Sequence, residues 1–405
     1  MYNVERIRSL LRSRQAYFSL PREFYRDPEI HNYDLDAIFY RSWIMVGFTA
    51  ELPEVNSYLS TQIGESPILL IRTSEDEIVG HHNTCRHRGS QLCVTGTGKI
   101  RNRIVCPYHQ WSYDVRGGLL STRNMNDQID RKEFGLRPVR VEVVEGCIYV
   151  SLSDSPPDFE PYRQTLAPAL APYNLWDAKV AHVMELHEEA NWKLVMENGR
   201  ECYHCQAGHP EFNSMFPPIT PEYYDFKGAR PKSDFDIRMD ELGLGIEPKA
   251  EDWWQVARFP LKKGHKSFSL DSDALVKKPF ISLNDGELGS LRWATEPNNL
   301  CHVSSDTAFM LNVMPESATT CTVTAKWLVH KDAVEGEDYD VDKLIYAWDQ
   351  TNRQDRAFAE NNQKGINGAG YVPGPYSLGE EVIVLAFVDW YCEAAKRFLE
   401  ENQGS

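Results

Sequence analysis

Four residues constrain this chain more than any others: Cys85 and His87 in one short segment, and Cys106 and His109 in a second, 18 residues further on. The segments read Cys85-Arg86-His87 and Cys106-Pro107-Tyr108-His109, so each supplies one thiolate and one imidazole. Four such ligands must converge on one centre, which requires two tight turns held side by side by a rigid surround. Gly89 and Pro107 are residues suited to such turns. A zinc finger usually places two cysteines in one half and two histidines in the other, so the mixed halves need another explanation. An iron–sulfur centre in which two thiolates hold one iron and two imidazoles the other provides it, and the imidazoles raise its potential to suit an electron relay. A structural zinc site, or four unrelated buried residues, are the competing readings.

The remaining composition narrows the class. Nine cysteines in 405 residues are too sparse for a disulfide scaffold, and several stand beside histidines, which in a reducing compartment points to metal. A net charge of −16 argues against nucleic acid, since phosphate binding needs clustered Lys and Arg. No stretch approaches the roughly 20 apolar residues of a membrane helix, and no apolar run or cleavage site follows Arg6, Arg8, Arg12 and Arg14, so a cytoplasmic protein is expected.

The chain reads as two domains behind an N-terminal arm. Asn3 can cap a helix bearing Val4, Ile7, Leu10 and Leu11, and the arm extends over residues 1–42. Short β-rich runs, among them Ile68 to Arg72, Arg103 to Cys106, Val139 to Val143 and Cys147 to Leu152, make residues 43–155 a small all-β domain. Pro156, Pro157 and Pro161 mark a linker, and residues 156–405 form the larger α+β domain. There Val323, Ala325, Trp327 and Val329 alternate with their neighbours at the period of a sheet packed on one face, Ser304 to Val313 is a second strand, and a helix is expected from about Asp340 to Gln363.

A second constellation begins where the helical run Ala190 to Asn198 ends. Asn198, Glu201 and His204 are spaced three apart and are expected along one side of that helix. Gly208 and Pro210 imply a break before His209, which lets its imidazole converge with that of His204. Two histidines and a carboxylate on one face form the triad that holds Fe(II) and leaves positions open for O₂ and substrate.

The cluster segments resemble those of the Rieske non-haem iron oxygenases, whose loops read C-x-H-R-G and C-P-Y-H-x-W, matched by Cys85 to Gly89 and Cys106 to Trp111. Gln110 stands where many members have glycine, and a branch acting on betaines has glutamine there. Glu201 to Cys205 and Lys326 to Gly336 are similar to that branch, which contains glycine betaine monooxygenases and proline betaine (stachydrine) demethylases. The resemblance implies an oxygenase component with a Rieske [2Fe–2S] cluster on Cys85, His87, Cys106 and His109, and a larger antiparallel-sheet domain of the helix-grip type. It implies a mononuclear iron on His204, His209 and a carboxylate from a late helix, Asp355 fitting the pattern and Asp349 being its nearest competitor. It makes Glu201, where most members have Asp, an electron bridge to the cluster of a neighbouring subunit in a homotrimer. Asn198 is a further candidate beside it. The implied reaction is oxidative N-demethylation of a quaternary ammonium betaine with release of formaldehyde, electrons coming from NAD(P)H through a separate flavin and iron–sulfur reductase. An aromatic-ring-hydroxylating dioxygenase is the alternative. Trp253, Trp254, Phe259, Trp293, Phe309 and Tyr203 are candidates for an aromatic cage, Arg258 or Arg292 for holding a substrate carboxylate, and Cys93 reads as a small buried residue rather than a ligand.

Overall fold

The computed structural model describes residues 2–94, 96–125, 128–218, 226, 231–282 and 286–401. The chain divides into two compact units, one of Tyr40–Phe159 with Leu175–Asp177, the other of Met1–Phe39, Glu160–Asn174 and Ala178–Ser405.

The smaller unit is all β. Strands β1 (Ile44–Phe48), β2 (Ser57–Ile63), β3 (Ser66–Arg72), β4 (Ile78–His82) and β5 (Thr97–Lys99) join β9 (Pro138–Val144) and β10 (Cys147–Ser151) in an antiparallel sheet of order β1-β10-β9-β4-β3-β2-β5. Short strands β6 (Ile104–Val105), β7 (Ser112–Tyr113) and β8 (Leu119–Ser121) form a second sheet, β6 being shorter than the expected Arg103 to Cys106. Glu145 and Gly146 both have positive φ in the two-residue turn between β9 and β10, the geometry that matches a hairpin's twist.

The larger unit is built on one seven-stranded antiparallel sheet. Its helices are α1 (Val4–Ser13), α2 (Pro28–Asp34), α3 (Glu160–Leu170), α4 (Trp192–Asn198), α5 (Cys205–Gly208), α6 (Pro210–Met215), α7 (Asp234–Glu241), α8 (Val341–Asn367) and α9 (Val382–Glu401). Its strands are β11 (Lys179–Glu188), β12 (Lys249–Glu251), β13 (Trp254–Phe259), β14 (Ser290–Thr295), β15 (Asn299–Val303), β16 (Thr307–Pro315) and β17 (Cys321–Val329), in the order β11-β17-β16-β15-β14-β13-β12. Asn3 caps α1 as expected, its side chain accepting from the Arg6 amide at 3.0 Å, and Asp340 likewise caps α8. The alternation of β17 holds only in its first half. Lys326 and Leu328 are buried together with Trp327 and Val329, so its far half is covered on both faces. Pro161 lies in the first turn of α3, where its missing N–H is no loss, so that end of the expected linker is helical.

Helix α8 packs on one face of the sheet: Trp348 stacks on Phe309 of β16 with ring centroids 4.5 Å apart and planes within 5°. The other end of the unit is tied by α2, α4 and α9. There Asp34, fully buried, accepts from Trp192 Nε1 at 3.0 Å and Tyr391 O–H at 2.6 Å and pairs with the equally buried Lys193. Among the described residues no helix is long and apolar enough to cross a membrane.

Candidate functional site

In the smaller unit the four cluster candidates come together on two loops of the same design, one following β4 and the other joining β6 to β7. In the first, the Gly89 amide donates to the Cys85 carbonyl at 2.9 Å, and in the second the Gln110 amide donates to the Cys106 carbonyl at 3.1 Å. Both closing residues have positive φ, +76° at Gly89 and +62° at Gln110. Glycine is free there and glutamine is strained, which accounts for glycine being the commoner residue. Cys85 and Cys106 are buried, and the rings of His87 and His109 lie 4.7 Å apart. Trp111 stacks on His87 at 4.9 Å, and the Tyr113 hydroxyl lies 3.3 Å from Cys85 Sγ. These residues fit the cluster: His87 Nδ1 is buried without a hydrogen-bond partner. Burial also raises the Cys85 thiol pKa, a cost that iron at the sulfur would offset by favouring the thiolate. Cys93 is half-buried and its backbone, not its sulfur, is held, by Asn83.

In the larger unit the second constellation departs from the expected helix. Helix α4 stops at Asn198 with Gly199 as its cap, so Asn198, Glu201 and His204 do not share one helix face. The physical reason is the Glu201 side chain, which accepts from the amides of Tyr203 and His204 and turns the chain into the separate helix α5. The break before His209 occurs as expected: α5 ends at Gly208 and Pro210 opens α6. Gly208 has a second reason to be glycine, since a Cβ there would lie 2.7 Å from the Phe358 ring, which packs on both histidines.

His204, His209 and Asp355 converge. The two Nε2 atoms are 2.8 Å apart, and Asp355 Oδ1 lies 3.2 Å from one and 2.9 Å from the other. Both tautomers follow from outside contacts. His204 Nδ1–H donates to Glu201, and His209 Nδ1–H donates to Gln354 Oε1 at 2.8 Å. Gln354 is itself oriented by donating to Glu211 at 2.8 Å. When both imidazoles are neutral, two Nε2 lone pairs and a carboxylate face one point, an arrangement that a metal cation satisfies. Metal–ligand bonds of about 2.1 Å at right angles place ligand atoms about 3.0 Å apart, so the separations fit a facial triad on iron. Cys205 Sγ also lies within 4.8 Å of the imidazoles, but it is joined to Cys202 in a disulfide, a pairing not expected from the sparse cysteines. Asp349, the competitor of Asp355, pairs instead with Arg353. Asn198 reaches His204 Nε2 only at 3.5 Å.

A cavity adjoins the triad. Of the aromatic candidates, Phe259 and Phe309 line it. Trp253, Trp254 and Trp293 are buried outside its lining, and Tyr203 is exposed. Phe212, Phe216 and Trp348 line it as well and went unread in the sequence, although Trp348 stands seven residues before Asp355, on the same helical stripe. Glu188, 2% exposed, also faces the cavity. Burial and then the charge of Asp355 raise its pKa to about 8.

A family model described as ring hydroxylating alpha subunit (catalytic domain) matches residues 175–396, and a Rieske [2Fe-2S] domain model matches residues 42–137. The chain belongs to the Rieske oxygenase family. The glycine betaine monooxygenase oxygenase subunit of Pseudomonas aeruginosa is 41% identical to this Rieske oxygenase over 97% of this chain and 92% of its own. The quaternary ammonium Rieske monooxygenase CntA, solved with L-carnitine, has the same fold at 20% identity, covering 96% of this chain and 97% of that one with a TM-score of 0.71. Naphthalene 1,2-dioxygenase from Rhodococcus, at 17% identity with 98% of each chain covered, reaches a TM-score of 0.69, so the fold is common to both kinds of chemistry.

The imidazoles give this Rieske oxygenase a dependence on pH when iron is stripped. Burial disfavours protonated His204, but the hydrogen bonds it donates to Asp355 and Glu201 outweigh it and raise its pKa to about 9. His209 is raised in the same direction, with Asp355 outweighing burial. Raised folded-state values contribute stability that is complete below the unfolded value near 6.5 and is lost as pH climbs through about 9. Chelator-treated protein is therefore expected to lose thermal stability between about pH 7 and 9. Iron uptake should displace protons and tighten over the same range, checked by titration calorimetry in buffers of different ionisation enthalpy. Uptake with no proton release would contradict the assignment.

Proposed function

We propose that this chain is the oxygenase component that oxidatively N-demethylates a quaternary ammonium betaine. One observation carries the reading: the cavity beside the triad is lined by the aromatic side chains of Phe212, Phe216, Phe309 and Trp348. A quaternary nitrogen has no hydrogen to donate, and aromatic faces are the groups that hold such a cation. The 41% identity to a glycine betaine monooxygenase oxygenase subunit supports this over the ring-dioxygenase alternative.

When bound, the cluster on Cys85, His87, Cys106 and His109 supplies electrons, and the iron on His204, His209 and Asp355 supplies the chemistry by which O₂, two electrons and two protons hydroxylate an N-methyl carbon. The carbinolamine product then releases formaldehyde and the demethylated amine. The chain's own residues position these events. Glu201 and Gln354 fix the imidazole tautomers, Asp355 closes the triad, and the aromatic wall directs the cationic head. Glu201 is the electron bridge: it holds His204 on one side, and a neighbouring subunit's cluster in a homotrimer is its counterpart on the other. A separate reductase delivers the electrons, and the cytoplasm is the compartment expected for such a system.

The reading is tested by formaldehyde release from purified oxygenase supplied with electrons and offered glycine betaine, proline betaine or carnitine. Release from none of them would favour the ring-dioxygenase alternative. For the bridge, Glu201→Gln is expected to keep both iron centres while slowing single-turnover oxidation of the cluster by about 10- to 100-fold. An unchanged rate in a fully loaded variant would rule that role out.

A further inference from the structure

The aromatic wall explains how a quaternary nitrogen is held and leaves open what the rest of the substrate must look like. We propose that Arg292 and His302 form a carboxylate-binding end to the same cavity, so that the enzyme selects quaternary ammonium compounds carrying a carboxylate a short chain away from the nitrogen. The inference rests on the reading of the cavity as a quaternary ammonium site.

Register places the two residues. Arg292 on β14 pairs with His302 on β15, and His302 pairs with Phe309 on β16. Paired residues of antiparallel strands share a face with Cβ atoms about 5 Å apart, so a cation, an imidazole and an aromatic ring run in a row across that face. All three line the cavity. Phe309 hands the row on to Trp348 of α8 by stacking, and Trp348 stands seven residues, a rise of about 10 Å, before Asp355. A ligand lying along this row would put its carboxylate on β14 and β15, its cationic head on the aromatic faces and a methyl group toward the triad.

The side chains are set for the task. Arg292 is 6% exposed and is steadied by donating from Nη1 to Gln255 Oε1 at 3.3 Å. Its planar fork matches the two oxygens of a carboxylate. His302 Nδ1 lies 2.8 Å from the hydroxyl of Ser290, which is fully buried. With that hydroxyl donating, Nε2 carries the ring hydrogen and becomes a second donor for the same carboxylate. Burial, reinforced by the charge of Arg292, holds the His302 pKa well below its usual value, which keeps the ring in this neutral form. Arg258, the other sequence candidate, pairs with Leu291 and so points to the opposite face. There it donates to the Tyr173 hydroxyl at 2.8 Å and the Leu288 carbonyl at 3.1 Å.

The test compares glycine betaine with choline, which keeps the trimethylammonium head and replaces the carboxylate with a hydroxyl. Iron-loaded wild type and Arg292→Gln are measured by calorimetric binding and by formaldehyde release with a reductase present. Arg292→Gln is expected to weaken glycine betaine binding by about 100-fold and to change choline binding by less than about threefold. Should Arg292→Gln not fold, Arg292→Lys keeps the charge but loses the fork, and a loss of about 10-fold confined to the carboxylate ligand is expected. Equal betaine affinity in wild type and in either folded variant would overturn the inference. So would wild type that demethylates choline as readily as glycine betaine, a result that leaves the quaternary ammonium reading standing. Wild type that releases formaldehyde from neither compound overturns that reading and this inference with it.

Discussion

Asp355→Ala is expected to lose the mononuclear iron and all O₂-dependent turnover while the [2Fe–2S] cluster and its red colour persist. Asp355 is the anionic donor at the point where the two Nε2 lone pairs meet, and its Oδ1 contacts both. Its pKa is lowered although burial opposes this, because the two imidazoles hold the carboxylate in its charged form. Without it, two neutral nitrogens remain to bind a divalent cation, fewer than the facial triad requires. Iron should fall from roughly three atoms per chain to roughly two, with turnover down by about 10³-fold or more. Metal analysis, the electron paramagnetic resonance signal of the reduced cluster and formaldehyde release check the three parts separately. Asp349→Ala serves as the control. It removes an exposed pairing with Arg353 one to two turns earlier on α8 and should leave iron content unchanged. Retention of full iron by Asp355→Ala would sink the assignment.

The second large effect is on stability. Asp34→Ala should cost about 3–5 kcal/mol, because it strips the counter-charge from a fully buried ammonium. Lys193, Trp192 Nε1 and the Tyr391 hydroxyl all point at this one carboxylate, so its loss leaves three buried donors unmet. Burial already lowers the Lys193 pKa, with Asp34 opposing it, and the alanine variant is expected to lower it further. Thermal denaturation of the iron-loaded protein should show the loss. The double variant Asp34→Leu with Lys193→Met should recover most of it, since a well-packed apolar pair avoids the desolvation cost. A single variant as stable as wild type would show that the pair contributes little to holding α2, α4 and α9 together. Function depends on the same place, because α4 leads directly into the turn that sets Glu201 and His204.

How far the sequence reached differs between the two centres. The loops around Cys85 and Cys106 were legible because their ligands are local: four residues within 25 positions, in spacings that tight turns impose. Helix α8 was expected from about Asp340 to Gln363 and runs Val341–Asn367, with Asp340 as its cap. The turn at Glu201 was misread as continuing helix, since a spacing of three looks helical until a side chain captures the amides that the helix would have used.

The sequence by itself determined the donor types, their pairing into two mixed halves, the histidines on either side of a helix break, and the family resemblance that named Asp355. Only the tertiary structure decided that Gln354 and Glu211 orient His209, that Trp348 and Phe309 share a stack, and that Arg292 rather than Arg258 faces the cavity. Those facts depend on strand register, in which one residue's shift sends a side chain to the other face, and on contacts between residues more than a hundred positions apart. Ligand spacing is written along the chain, whereas the wall of a substrate cavity exists only once distant strands have paired.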